Sequence, residues 1–230
     1  MKITRTLLQF LLIVILAACG GKTPASPEPT AEAASATAAS SASDETSPER
    51  EAILKALEGM QGQKHRTRNN IHLLESGETQ DTVVEYVPPD RYHIIAGAQE
   101  IIVMGTMVYL KVGEQWELNS KLPAAQVVDS ESLTWMATTL EKIKAEGQET
   151  LDGKAMQVYS YQSANRAGDL WLVSQTRLWV GAADGLPYKL ESQGDIQGVI
   201  PANGKAVKRR AVTTMLIEYD PTIEIEVSYR

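Results

Sequence analysis

Short segments with the composition of β-strands, separated by brief turn signals, occupy most of the chain after residue 66. Connections this short favour antiparallel neighbours, because a parallel crossover needs about a dozen residues or more. The pattern therefore predicts one long antiparallel sheet of about eleven strands. The predicted strands are 67–76, 81–87, 91–96, 100–104, 106–112, 115–119, 156–162, 170–179, 187–194, 205–219 and 222–229.

Turn chemistry in the second half of the chain supports hairpins. Asp152-Gly153, Asp184-Gly185 and Asn203-Gly204 are dipeptides typical of tight two-residue turns. The last predicted strand, 222–229, alternates cleanly between apolar and polar residues. We therefore expect it to have one buried and one solvated face.

A helix is predicted at the start of the folded region. Ser47 is a suitable N-cap, and Pro48 suits the first helical position. Apolar residues then recur at helical spacing until Gly59 or Gly62, where the helix should end. A second helix is predicted at 130–145, where Leu133, Met136, Leu140 and Ile143 step by three or four residues.

The segment 100–112 is apolar on both faces of its predicted strands, so both faces should be covered. The predicted helix 130–145 is a candidate for one cover. The expected fold class is α+β: a curled antiparallel sheet, or half-barrel, with helices on its concave side. Such an arrangement can leave an apolar cleft between sheet and helices. The alternative is that sheet and helices pack shut.

The N-terminus has the order of a secretory signal. Lys2 and Arg5 precede an apolar run, 7–16, and the small residues Ala17 and Ala18 precede Cys19. The apolar run is too short for a membrane span, which needs roughly 20 residues. The sequence Leu-Ala-Ala-Cys resembles the lipobox of bacterial lipoproteins. That resemblance implies a signal peptide at 1–18 and a diacylated Cys19 as the first mature residue.

The segment after Cys19 predicts a tether. Residues 20–47 contain no Val, Ile, Leu, Met or aromatic residue, so they cannot bury enough apolar surface to offset chain entropy. Residues 19–47 are therefore expected to be the lipidated cysteine and a disordered tether, and 48–230 a single domain. Without Lys2 and Arg5 the chain carries 20 basic and 29 acidic residues. This acidity argues against nucleic acid as a partner.

No catalytic motif is present. His65, His72 and His93 lack the spacing of metal ligands, and no nucleotide-binding or nucleophile-elbow motif occurs. The lone cysteine also excludes an internal disulfide and a cysteine-based metal site. We therefore expect no metal, no cofactor and no enzymatic activity.

Three phrases within 48–230 resemble those of known lipid carriers. They are VPPDRY (87–92), YLKVGEQW (109–116) and DGLPYKLE (184–191). In this order, behind a lipobox and tether, they resemble the LolA/LolB-like lipoprotein carriers and the lipid-binding lipoproteins of LppX/LprG type. The resemblance implies a half-barrel with helices on the concave side and a cavity for acyl chains. No functional residue of those families aligns with this chain.

Two hypotheses follow, both for an extracytoplasmic protein held on a bacterial membrane by Cys19. In the first, the half-barrel binds a lipid or a lipoprotein acyl chain. In the second, it is an anchored envelope sensor or protein-interaction domain. The predicted cavity wall comprises Tyr86, Tyr92, Ile94, Ile101, Val103, Tyr109 and Trp116 from the sheet, with Trp135, Met136 and Leu140 from the helix.

Overall fold

A computed structural model describes residues 47–128, 140–167, 170–200 and 205–227. Within these ranges there are one α-helix, one short 3₁₀ turn (Ala124–Gln126) and eleven strands. The helix is α1 (Pro48–Gln61). The strands are β1 (His65–Leu73), β2 (Thr79–Val87), β3 (Arg91–Ala96), β4 (Gln99–Met104), β5 (Met107–Val112), β6 (Gln115–Leu118), β7 (Glu141–Leu151), β8 (Lys154–Ala167), β9 (Leu170–Gly181), β10 (Pro187–Ile200) and β11 (Lys205–Tyr219).

Helix α1 begins and ends where the sequence predicts. The Ser47 side chain accepts a hydrogen bond from Arg50 N at 3.1 Å, and Pro48 occupies the first turn. At the other end, Gly62 N donates to Gly59 O at 3.3 Å. Both ends of the helix therefore satisfy backbone groups that would otherwise lack partners.

All eleven strands form one antiparallel sheet in the order β6-β5-β4-β3-β2-β1-β11-β10-β9-β8-β7. Every pair of neighbours in the sheet is consecutive in the chain except β1 and β11, which join the two halves. The edge strands are β6 and β7, separated in sequence by residues 119–140. Since these edges do not pair, the sheet stays open as a half-barrel. This confirms the predicted α+β fold.

The two faces of the sheet are defined by what covers them. Helix α1 packs on one face of β8 and β9, where Tyr161 and Leu178 lie beneath Ile53 and Leu57. We call this the helix-bearing face. The other side of the same strands, the opposite face, carries a cluster that includes Val158.

Both faces of β4 and β5 are covered by other parts of the chain, as expected for 100–112. On the helix-bearing face, Val127 follows the 3₁₀ turn and packs with Ile101 and Val108. On the opposite face, the segment 222–227 places Ile223 and Ile225 against the sheet. Most of the predicted cover for this region, 130–139, lies outside the described residues.

The prediction of a helix over 130–145 is wrong at its C-terminal end. Residues 141–145 belong to β7, and 130–139 lie outside the described residues. The sequence of β7 has helix-forming residues and few β-branched ones, yet pairing with β8 decides its conformation. Register shifts between Glu141 and Lys144, and between Ala145 and Gly147, interrupt this edge strand and disguise its period.

The prediction of a final strand over 222–229 is also wrong over 222–227, and residues 228 and 229 lie outside the described ranges. Residues 222–227 are not in a strand, although Ile223 and Ile225 are buried and Glu224 is exposed. A turn at Asp220, whose side chain accepts from Thr222 N at 2.9 Å, redirects the chain after β11. The alternation therefore predicts which side chains are buried, but the segment does not pair as a strand.

Candidate functional site

The candidate site is the middle of the helix-bearing face. One register row crosses it, from Leu178 (β9) through Leu190 (β10), Met215 (β11) and Asn69 (β1) to Thr82 (β2). Its first two members pack with α1. Beyond its last member, the face continues into the cluster beneath the 3₁₀ turn.

Between these two clusters lies a region that we call the central floor. It consists of Thr67, Asn69, Thr82, Met215 and Ile217. Among the described residues, none of the five belongs to the cluster beneath α1 or to that beneath the 3₁₀ turn. Thr67, Thr82 and Ile217 are buried, and the other two are half-buried. The floor thus combines apolar and small polar side chains.

An aromatic row borders one end of the floor. Cross-strand pairing aligns Tyr219, His65, Tyr86 and Tyr92, with successive ring centroids 6.0, 5.1 and 4.9 Å apart. The Tyr86 hydroxyl donates to Pro89 O at 2.9 Å. Ring pairs at these distances stabilise a sheet beyond the burial of their area.

Burial also sets the charge state within this row. Desolvation lowers the pKa of His65, although backbone hydrogen bonds, including one of 2.9 Å from Nδ1 to Gln63 O, oppose the shift. Its imidazole is therefore neutral at neutral pH, and the row brings no positive charge to the floor.

Five predicted wall residues share the helix-bearing face. Tyr86 pairs with Tyr92, and Ile94 pairs with Ile101, while Val103 pairs with Tyr92 on its other side. The three aliphatic residues are buried with Val127 in one cluster. The structure brings all five together next to the central floor.

Two other predicted wall residues lie on the opposite face. Tyr109 pairs with Ile102, and Trp116 pairs with Lys111. Both aromatic residues pack with the segment 222–227. Strand alternation explains the correction, because Tyr109 is one residue from Val108 and must point the other way.

The remaining three predicted wall residues belong to the segment read as a helix. Leu140 is buried in the cluster beneath α1, so it lies on the helix-bearing face but at the end away from Ile101. Trp135 and Met136 lie outside the described residues, as does the predicted lipidation site Cys19.

Sequence reasoning missed a strip of polar side chains on the same face. Tyr161, Thr176, Ser192 and Thr213 are successive cross-strand partners, and Thr213 lies diagonally next to Asn69. The alternation of small hydroxyl residues in β9 was a signal for it, since those residues fall in phase with buried Leu178. Polar groups are unusual at positions that face the interior of a sheet.

Charged residues form a network on the opposite face. His93 lies between two carboxylates, with Nδ1 3.0 Å from Glu85 and Nε2 2.9 Å from Glu100. Burial opposes ionisation of Glu85, but hydrogen bonds from Arg66 and His93 outweigh it and lower the pKa of that carboxyl. The same balance, with Lys111 and His93 as donors, lowers the pKa of Glu100.

These side chains form a network of ion pairs, which does not resemble a metal centre. Within the described ranges, no group of three or more His, Cys, Asp or Glu side chains is arranged to hold a metal ion. No helix in these ranges has both the length and the apolar character that crossing a membrane requires.

A small surface pocket of about 200 Å³ lies at the end of β5 and β6, away from the central floor. Its mouth is beside the edge strand β6, where Leu118 is 58% exposed. It is lined by Leu110, Val112, Glu117, Leu118, Asn119, Ser120 and Lys121.

No protein-family model matches the chain, and no curated protein matches it in sequence. Solved structures match its fold. LprF from Mycobacterium bovis aligns with a TM-score of 0.50 at 14% identity, over 80% of this chain and 97% of LprF. The lipoprotein LppX from Mycobacterium tuberculosis aligns with a TM-score of 0.48 at 10% identity, over 77% of this chain and 98% of LppX.

A chain of the Pseudomonas aeruginosa MucA/MucB complex aligns with a TM-score of 0.43 at 12% identity. That alignment covers 76% of this chain and 59% of the other. At sequence identities this low, a structural match shows a similarity of fold alone. The match to LprF supports the half-barrel architecture described above.

Proposed function

We propose that this protein is an extracytoplasmic, membrane-anchored lipoprotein that binds a lipid or an acyl chain on the helix-bearing face of its half-barrel. The role is binding, with no catalytic step. The observation that carries the proposal is the central floor: a partly apolar surface on the covered side of an open sheet, belonging to neither of the flanking apolar clusters.

The chemistry of the floor suits a flexible chain. Met215 is unbranched and polarisable, so it adapts to ligands of varied shape. Ile217 adds a buried aliphatic side chain to the floor. Burying each CH₂ of an acyl chain against such a surface contributes about 0.8 kcal/mol. The fold similarity to LprF and the lipobox-like N-terminus support the same reading.

Anchoring by Cys19 is a separate part of the proposal. Two acyl chains hold a protein on a bilayer where a single chain does not. A Cys19→Ser variant is expected to lose incorporation of labelled palmitate and to leave the membrane fraction. Retention of both properties would contradict the anchor while leaving the binding site untested by that result.

A matched pair of variants tests the binding site. Met215→Trp fills the floor, whereas Leu216→Trp changes the next residue of β11, which is 41% exposed on the opposite face. We expect saturable binding of a fluorescent fatty acid by the wild type and by Leu216→Trp, and its loss in Met215→Trp. Equal binding by the two variants, with both folded by circular dichroism, would contradict the proposed location.

A second function, that of an anchored interaction domain, is favoured by one surface feature. Val112 and Leu118 are 53% and 58% exposed beside β6, which forms one edge of the sheet. An edge strand with exposed apolar residues is a ready site for pairing with another chain. A protein partner whose binding survives Met215→Trp and is lost in Leu118→Asp would favour this function.

A further inference from the structure

The helix-bearing face carries more hydrogen-bonding groups than a surface for plain hydrocarbon needs. The polar strip described above crosses four strands and then meets the central floor: Tyr161 (β8), Thr176 (β9), Ser192 (β10) and Thr213 (β11) lead to Asn69 (β1). Purely apolar packing would favour aliphatic side chains at each of these positions.

Two buried polar atoms of this strip lack a hydrogen bond. Asn69 Oδ1 and the Tyr161 hydroxyl have no hydrogen-bond partner among the described residues. Tyr161 is only 1% exposed, and burial raises the pKa of its hydroxyl well above the ordinary value. Buried polar groups are nearly always paired in folded proteins, so an unpaired one needs an explanation.

The neighbouring hydroxyls do satisfy one another. Ser163 Oγ lies 3.2 Å from Ser174 Oγ, which lies 3.4 Å from Thr176 Oγ1. The unpaired atoms are therefore at the two ends of the strip, where one of them, Asn69 Oδ1, lies in the central floor. An amide oxygen can only accept a hydrogen bond, so its missing partner is a donor.

Resting on the proposed lipid-binding function, we infer that the ligand is an acyl lipid whose buried part carries a hydroxyl or amide N–H, and that Asn69 Oδ1 accepts a hydrogen bond from that group. The rest of the ligand packs on Met215 and Ile217. The site would then select hydroxylated or amide-linked acyl chains over plain ones, because a plain chain leaves the oxygen unpaired.

A pair of fatty acids that differ by one hydroxyl tests this selection. Stearate and a mid-chain hydroxystearate are titrated against the full-length protein by displacement of a fluorescent fatty acid. We expect the wild type to bind the hydroxylated acid about twofold to tenfold more tightly, the range for one net hydrogen bond. Moving a hydroxyl from water into an apolar site without a hydrogen bond costs free energy and would weaken binding. Tighter binding of the hydroxylated acid therefore requires a hydrogen-bond partner in the protein.

Three variants locate the partner. Asn69→Leu should lose the preference for hydroxystearate over stearate, and its melting temperature without lipid should rise because a buried unpaired oxygen is removed. Asn69→Thr keeps an oxygen on the strand and should retain a preference. Asn70→Leu is the matched control, because Asn70 is exposed on the opposite face and donates to Asp81 at 2.7 Å.

The outcomes separate this inference from the function on which it rests. Equal binding of the two acids by the wild type would overturn the inference and leave lipid binding intact. A preference that survives in Asn69→Leu would also overturn it. If neither acid binds, the proposed function fails and the inference fails with it. Should Asn69→Leu not fold, Asn69→Thr and the wild-type ratio still decide the question.

Discussion

The two halves of the sheet bury their apolar surface in different ways. Strands β2–β6 are short, and their apolar clusters are covered by chain segments, the 3₁₀ turn region on one face and residues 222–227 on the other. Strands β7–β10 are longer and have α1 on one face. On their opposite face, the cover is made by long charged side chains.

That side-chain cover centres on Trp179. Arg177 and Lys189 lie over its ring, at 4.6 and 4.7 Å from the centroid, and its Nε1 donates to Glu149 at 2.8 Å. Charged side chains can shield apolar surface with their alkyl stems while their heads remain in water. Within the described residues, charged side chains therefore cover the opposite face of this half, where a backbone segment covers the first half.

The largest effect is expected beneath α1. Leu178→Ala removes a side chain that is 1% exposed and packed with the helix, so it should lower the free energy of unfolding by about 3 kcal/mol. Urea denaturation measures this change. Val173→Ala is the control, since Val173 is on the same strand but 50% exposed. A loss below about 1 kcal/mol would show that α1 contributes little to this half.

A smaller loss is expected for the cover of the first half. Ile225→Ala should cost about 2 kcal/mol, at the lower end for a buried isoleucine, because the segment 222–227 is held by side chains and can partly close the gap. Glu224→Ala changes the exposed neighbour and should be nearly neutral. If Ile225→Ala proved as harmless as the control in the same urea assay, the segment would not be a structural cover.

The side-chain cover of the second half should be weaker still. Arg177→Ala removes the cation over Trp179 and the hydrogen bonds to Glu146 and Glu149, both 2.7 Å long. Because these groups are substantially exposed, we expect a loss of about 1 kcal/mol or less. Thermal unfolding measures the effect, and a loss as large as that of Leu178→Ala would make the two kinds of cover equivalent.

The smallest effect is a pH dependence in the first half. The folded-state pKa values of Glu85 and Glu100 are lowered, so their contribution is complete above the ordinary carboxyl pKa of 4.5 and is lost as the pH falls through the lowered values. Glu85→Gln should reduce the loss of unfolding free energy between neutral and acid pH by less than about 1 kcal/mol. Urea midpoints at neutral and acid pH, compared between wild type and variant, test it; an unchanged acid slope would contradict it.

Local signals predicted the elements whose conformation is decided locally. Ser47, Pro48 and Gly62 mark the ends of α1 by capping chemistry that needs no tertiary partner. The strands β2 to β6 were predicted within a few residues, because each is bounded by a turn with its own glycine or proline signal. The antiparallel order of the sheet followed from the shortness of these turns.

Elements decided by distant partners were mispredicted. Residues 141–145 have a composition typical of a helix. They nevertheless form part of the edge strand β7, because they pair with β8. Residues 222–227 alternate like a strand, yet they cross the sheet without joining it. Periodicity reports which side chains are buried, and several backbone arrangements can bury the same set.

The candidate site was predicted in part for a related reason. Tyr86, Tyr92, Ile94, Ile101 and Val103 share a face, as alternation along β2–β4 implies. Tyr109 and Trp116 were assigned to the same wall, although their register places them on the other face. The central floor was missed because it forms only when β11 pairs with β1, and these strands are far apart in the sequence.

Native mass spectrometry of the full-length protein, released from its own membrane in mild detergent, tests the central claim most directly. We predict a population carrying the mass of one acyl lipid, retained in Leu216→Trp and absent in Met215→Trp. Detection of folded protein without bound lipid, or of the same bound mass in both variants, would contradict the account of a lipid site on the helix-bearing face.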